Sequence, residues 1–201
     1  MGGMTRRVLL LVGLAALAAG QERGTRRASQ AQRDAWQKPD EVIRLLGIGP
    51  QDVVADIGAG DGYFARRFAQ HARKVYAVDI DARALEAAAK GAPANLVTIV
   101  ATPTDPKLPA GEVHLVFFCN TLHHISRRPD YLRNLARALA PGGRIVNIDF
   151  HKKPLPVGPG VDHKLAEEEA LRDFEAAGYR LVEKHDLLPY QYFQVFALPH
   201  P

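Results

Sequence analysis

Three glycines stand at alternate positions in Asp56-Ile57-Gly58-Ala59-Gly60-Asp61-Gly62, directly after the apolar run Val53-Val54-Ala55. Glycine adopts backbone conformations closed to other residues, so such a loop turns tightly and lets a ligand lie against bare backbone. The spacing is Gly-x-Gly-x-Gly, and Tyr63 occupies the place where a dinucleotide fingerprint carries its third glycine. That third glycine lets a helix N-terminus approach closely enough to hold a pyrophosphate. Its replacement by tyrosine suits the loop to a nucleoside without one. Asp79 ends a second apolar run 21 residues after Gly58, where an acid accepts hydrogen bonds from a ribose diol. A structural glycine turn beside an unrelated acid is the alternative, but the pairing is more specific than a glycine motif alone.

A second group of reactive types follows in Cys119-Asn120-Thr121-Leu122-His123-His124, with Asp149 and His151 further on. Histidine exchanges protons near neutral pH, so His123 or His124 could serve as a base or an orienting group. The pair could equally cap the next segment without touching a substrate. His123, His124, Asp149 and His151 contain metal-ligating types, yet their spacing matches no zinc motif. The expectation is that no metal is bound. Cys119 reads as a small buried hydrophobe, with a reactive thiol as the lesser alternative.

These residues need elements to position them, and the sequence supplies an alternation. Val53–Ile57, Lys74–Asp79, Leu96–Val100, Val113–Cys119 and Arg144–Phe150 read as strands; residues 63–71, 82–90 and 131–139 read as helices, the last stopped by Pro141-Gly142-Gly143. Strands apolar on both faces, separated by helices, imply a parallel sheet covered on both sides. With right-handed crossovers the result is a doubly wound α/β, Rossmann-like sandwich. Pro39-Asp40-Glu41 opens a preceding helix that Gly47 and Gly49-Pro50 end. Residues 151–160 form a Pro/Gly loop that could cover a pocket. A helix over 164–177 and strand-like runs at 179–183 and 191–198 close the sheet edge. Tyr190, Tyr192 and Phe193 supply either core packing or an apolar pocket wall.

The chain has 201 residues, 47% hydrophobic and 24% charged, with a single cysteine. One globular domain fits this length, and a multi-cysteine cluster or disulfide framework is excluded. The net charge of +4 falls to +2 once Arg6 and Arg7 are set aside, since residues 1–20 hold no acid. The remaining arginines before residue 34 adjoin no aromatic cluster, so nucleic acid is not an expected partner. Val8 to Ala19 is an apolar run of twelve; as a helix it would rise only about 18 Å, against a hydrocarbon core of about 30 Å. Behind a short basic segment and ahead of Ala18-Ala19-Gly20, it reads as a signal peptide over residues 1–20 rather than a stable span. Thr5-Arg6-Arg7-Val8-Leu9-Leu10 also resembles a twin-arginine signal. Residues 21–38 then form a polar linker and 39–201 the domain. The expected location is outside the cytoplasm, in the periplasm or beyond, with an uncleaved membrane anchor as the alternative.

The glycine loop, Asp79, Asn120-Thr121-Leu122-His123-His124 and Leu139-Ala140-Pro141-Gly142-Gly143-Arg144 together resemble the class I S-adenosylmethionine-dependent methyltransferases. Within them the chain looks most like the small-molecule group that includes the ubiquinone/menaquinone-biosynthesis C-methyltransferases. The resemblance covers residues 40 to about 150. It implies a mostly parallel seven-stranded sheet with an antiparallel last strand, S-adenosylmethionine as cofactor and a small-molecule acceptor. By the same resemblance Asp56, Gly58 and Gly60 would line the methionine moiety and Asp79 would hold the ribose. Thr102 and Asp105 would approach the adenine, and Ala59, Gly62, Ile80 and Asn120 complete the implied cofactor set. The chain departs from the family at His114, where an acid is usual, and in the rearranged loop Thr102-Pro103-Thr104-Asp105-Pro106. A non-catalytic nucleotide-binding protein on the same fold is the competing class. A nicotinamide-dependent oxidoreductase is disfavoured by Tyr63.

Overall fold

A computed structural model describes residues 30–199 of the chain. The expected signal peptide lies outside the described residues, as do residues 21–29 of the expected linker; residues 30–37 of that linker are helical. The chain divides into two compact units at Lys38, and the unit that begins at Pro39 contains the whole sheet.

Helix α1 (Pro39–Leu46) starts at the expected proline, with Asp40 and Glu41 in its first turn, where carboxylates oppose the helix dipole favourably. Strands β1 (Val53–Ile57), β2 (Lys74–Asp79), β3 (Leu96–Val100) and β4 (Val113–Cys119) occupy their expected spans. Helices α2 (Ala65–Phe68) and α3 (Ala82–Ala89) connect the first three. Then come α4 (Arg128–Ala136), β5 (Leu139–Phe150), α5 (Glu167–Ala176), β6 (Arg180–His185) and β7 (Gln191–Ala197). The sheet order is β3-β2-β1-β4-β5-β7-β6. Strands β1 to β5 pair in parallel, and β7 runs antiparallel to both of its neighbours. The mostly parallel seven-stranded sheet with its edge hairpin is therefore the architecture expected from the sequence.

All five residues of β1 are buried, and their alternation divides the core. Val53, Ala55 and Ile57 join one apolar cluster with Leu132 and Leu135 of α4 and Phe174 of α5. Val54 joins the other with Val42 and Leu46 of α1, Phe68 of α2 and Leu85 of α3. Successive strand side chains point to opposite faces, so an all-apolar strand fits a sheet sandwiched between two helical layers. Helices α1 to α3 cover one face, α4 and α5 the other. The layers change over where β1 pairs with both β2 and β4, the topological switch point beyond whose carboxyl ends ligands bind in such sheets.

Several element boundaries differ from the sequence reading: α2 is confined to Ala65–Phe68, shorter than the expected 63–71, and the ends of α5, β6 and β7 shift by one to three residues. Helix α4 begins three residues earlier, with Pro129 in its first turn, where the missing N–H costs nothing. Pro141-Gly142-Gly143 does not stop that helix but lies within β5. There the β4–β5 register shifts between Val113 and Leu115, and a Cβ on Gly143 would stand 2.9 Å from the Val113 carbonyl oxygen. The glycine serves the strand irregularity, not the helix end. His114, the departure from the family pattern, accepts the Val53 N–H through Nδ1 at 3.1 Å and ties β4 to β1.

Candidate functional site

Beyond the carboxyl end of β1 the glycines are used in three ways. Gly58, Gly60 and Gly62 all have positive φ, at 73°, 55° and 84°. Gly58 and Ala59 donate their N–H groups to the Val78 carbonyl at 2.8 and 3.1 Å, pinning the turn to β2. A Cβ on Gly58 would stand 2.4 Å from Thr121, so this glycine allows the β4 rim to close over the loop. A Cβ on Gly62 would meet Ala88 of α3 at 3.0 Å. A Cβ on Gly60 would meet nothing within 4 Å, which leaves this glycine's side open.

The acid and the loop are joined directly. Gly60 donates its N–H to Asp79 Oδ2 at 2.8 Å, while Asp81 donates its N–H to Oδ1 at 3.0 Å. Each carboxylate oxygen has two lone pairs, so both retain acceptor capacity for a diol. Arg66 of α2 donates to the carbonyls of Ala88 and Lys90, capping α3 and fixing the helix that Asp81 opens.

Gly58 and Asp79 border a first cavity of about 380 Å³, within the usual size range of small-molecule sites. Gly58, Asp79, Ile80, Thr102, Asn120 and His124 line it, together with Ile57, Pro103, Thr121 and Tyr131. Ile80 is 63% exposed, an apolar face on the cavity wall. Thr102 is held by mutual backbone bonds with Asp105. Asp105 itself is not among the lining residues. Its Oδ1 accepts the Lys107 N–H at 2.8 Å and an Arg137 guanidinium at 2.8 Å. These bonds, the Lys107 one foremost, outweigh burial and hold its carboxyl below the usual range. Asp56 is buried at 3% exposure, and Asp56, Ala59, Gly60 and Gly62 are not among the lining residues. Asn120, at φ 57°, accepts from Gln191 Nε2 at 2.6 Å.

The histidines fold into a single 3-10 turn, Leu122–His124. Neighbours in extended backbone would diverge, but the turn brings the two rings to 4.0 Å between centroids. His123 Nδ1 lies 2.9 Å from both oxygens of Asp149, with both side chains buried. Since Asp149 Oδ1 also accepts the Phe150 N–H at 2.8 Å, the carboxylate is fixed. The arrangement assigns the proton to Nδ1 and leaves Nε2 as an acceptor. His124 lines the first cavity and also a second, of about 490 Å³, that His123 borders. Partial desolvation holds the His124 ring below the usual histidine range. The nearby rings of His123 and His163 add to this against the pull of Asp149.

The sequence reading treated Asp149 as a metal candidate and did not pair it with His123. The signal was available: Cys119 lies opposite Ile148 in the β4–β5 register, which brings the segments after both strands to one rim. Among the described residues no group of three or more His, Cys, Asp and Glu is arranged to hold a metal. Tyr192 and Phe193 are fully buried core residues, so packing accounts for them. The 151–160 loop contributes Lys152 and Pro159 to the second cavity. Among the described residues no helix is long and apolar enough to cross a membrane.

Residues 55–147 match a family model described as a methyltransferase domain. A ubiquinone/menaquinone biosynthesis C-methyltransferase from Ectopseudomonas mendocina is 28% identical over 124 residues, 58% of this chain and 48% of that one. The chain spans about half the length of the curated relatives it matches. A SAM-dependent methyltransferase structure from Aquifex aeolicus superposes with a TM-score of 0.76 at 22% identity, over 83% of this chain and 92% of the other. The trans-methyltransferase CalH, solved with SAH, superposes with a TM-score of 0.63 at 18% identity, over 79% and 55%.

Proposed function

We infer function from the family whose fold the chain has and whose domain sequence it carries, the class I S-adenosylmethionine-dependent methyltransferases. The chain binds S-adenosylmethionine in the first cavity and methylates a small-molecule acceptor that enters through the second. The observation that carries this reading is the hydrogen bond from Gly60 to Asp79: it sets an acid with spare lone pairs at the mouth of a glycine loop, the arrangement a ribose diol requires.

The residues present fit the cofactor. Gly60 keeps open space beside a positive-φ backbone, Asp79 can accept from two hydroxyls, and exposed Ile80 offers an apolar face to a flat base. When bound, S-adenosylmethionine supplies a methyl group on a sulfonium, whose bonding pair stays on sulfur as the methyl leaves. Positioning is the chain's principal contribution to such a displacement and can lower a barrier by about 7–11 kcal/mol at best. His124, bordering both cavities, guides the acceptor, and its neutral form avoids a second cation beside the sulfonium. An acceptor that must lose a proton gives it to Nε2 of His123. Asp149 holds the ring and balances the charge it gains. The quinone-biosynthesis relative supports a phenolic or enolic acceptor as the first class to try.

Calorimetry of the purified protein with S-adenosylmethionine, S-adenosylhomocysteine and NAD tests the cofactor. The first two should bind and NAD should not. Incubation of a metabolite extract with methyl-labelled cofactor tests turnover, with a labelled small molecule as the expected product. Binding without transfer would favour the non-catalytic reading. We also propose export on the sequence of residues 1–20, which fractionation of cells making the full chain would test: recovery with the cytoplasmic fraction would overturn it.

A further inference from the structure

The second cavity contains a cation that neither the glycine loop nor the histidine pair calls for. Lys164 lines it and is buried to 4% exposure. Among the described residues its ammonium has one hydrogen-bond acceptor, the Lys153 carbonyl at 2.7 Å, and the Phe150 ring at 5.8 Å, with no carboxylate at ion-pair distance. An ammonium has three donors, and a buried charge is costly unless paired. The other cations on the wall are placed differently. Arg128 is already matched by Asp173 at 2.5 Å and Glu169 at 2.9 Å. Lys152 reaches Glu169 only at 3.9 Å, from an exposed position. Arg128, Lys152 and Lys164 outnumber the lining acids Asp162 and Glu169, and His163 adds a further donor.

The position of Lys164 is set by packing. Gly158, at φ 88°, lies so close to Phe150 that a Cβ would stand 2.8 Å from its ring. The loop is thereby pressed onto the end of β5, next to Asp149 and its bond to His123. Leu165, the next residue, is part of the apolar core. The ammonium is thus held on the wall that His123 borders, with donors to spare.

We propose that the second cavity selects a small acceptor carrying a carboxylate or phosphate group, bound through Lys164, with His163 and Lys152 at the rim. The acceptor role rests on the methyltransferase reading; the anion preference of the cavity does not. An oxyanion there supplies the acceptors that the buried ammonium lacks, and it anchors the acceptor so that its nucleophilic atom faces His123 and His124.

Benzoate, phenyl phosphate and the neutral benzyl alcohol serve as probes, titrated by ligand-observed NMR into the full chain with and without S-adenosylhomocysteine. At least one anion should bind at least about tenfold more tightly than benzyl alcohol, the low end for a charged hydrogen bond. The two anions distinguish a carboxylate site from a phosphate site. Lys164→Met should abolish the preference and Lys164→Arg should retain part of it, while both leave S-adenosylhomocysteine affinity unchanged. Equal binding of benzyl alcohol, or an undiminished preference in Lys164→Met, overturns the proposal. Should Lys164→Met fail to fold, Lys152→Ala at the exposed rim gives a second reading, an expected loss of about two- to fivefold against none. Wild-type protein that prefers the anions yet ignores S-adenosylhomocysteine would sink the cofactor reading and leave this one standing.

Discussion

Gly58 and Thr121 fit together with no room for an added carbon: a Cβ on the glycine would lie 2.4 Å from both the threonine methyl and its hydroxyl. This contact locks the loop after β1 to the rim after β4, which carries the histidines. Gly58→Ala adds a clash to the strain of a side chain at φ 73°, together an expected loss of about 2–4 kcal/mol of stability. In Gly58→Ala/Thr121→Gly the clash is removed and the backbone strain stays, so part of the loss should return. Urea unfolding of the wild type, both single variants and the double variant gives the coupling. Additive effects would show that the two residues do not meet as described.

Asp79 bonds the loop through Gly60 and the start of α3 through Asp81. Asp79→Asn keeps one acceptor and the shape but removes the charge. Two hydroxyl contacts to a carboxylate are each worth about 1.5–3 kcal/mol, so affinity for S-adenosylhomocysteine should fall by about 10- to 100-fold or more. Calorimetry reads the affinity, and an unchanged melting profile excludes misfolding. Undiminished binding would remove the acid from the site.

The spans of β1, β2 and β4 were legible because burial on both faces leaves an unbroken apolar run, as in Val53–Ile57. The glycine loop was legible because each of its glycines answers a local backbone demand. What escaped was set by distant parts of the chain. The 3-10 turn that brings the His123 and His124 rings together has no local signature, and the Asp149 partnership depends on β4–β5 register. The family resemblance implies an adenine contact at Asp105, and the engagement of its carboxylate by Lys107 and Arg137 is a separate feature that the sequence does not announce. Lys164 was hidden among surface-type residues, because a lysine's burial is decided by the loop packed over it. Pro141-Gly142-Gly143 carried a stop signal that the sheet overrode.

Stability should weaken below neutrality in a way that two histidines control. Desolvation lowers both His124 and His151 from their ordinary value of 6.5, with neighbouring positive groups adding to it. The folded state therefore binds fewer protons than the unfolded chain just below that pH. Their contribution is fully present above 6.5 and is lost as pH falls through the folded values. The carboxyls of Asp105 and Glu112, also lowered, act only below 3.8 and 4.5. Urea midpoints from pH 7.5 to 5 should thus decline more steeply in wild type than in His151→Gln. A difference between the two that does not change with pH would contradict the assigned direction.

The His123–Asp149 pair separates a chemical role from a structural one. Both oxygens of a fully buried carboxylate lie at 2.9 Å from Nδ1, so the ring, which borders the second cavity, keeps Nε2 as its acceptor only while that carboxylate is in place. Asp149→Asn keeps the volume but lets the ring adopt the other tautomer. If Nε2 takes the acceptor's proton, turnover should fall by about 10²- to 10⁴-fold in Asp149→Asn and His123→Ala. Affinity for S-adenosylhomocysteine should hold within about twofold, because neither residue lines the first cavity. A ring that only props the rim predicts the opposite split, with weakened cofactor binding and a modest change in turnover. The loss should also shrink across a series of acceptors of rising acidity, since an acceptor already ionised at the assay pH needs no base. Equal losses for a phenol and for a pre-ionised analogue would remove His123 from proton transfer and leave it a positioning residue.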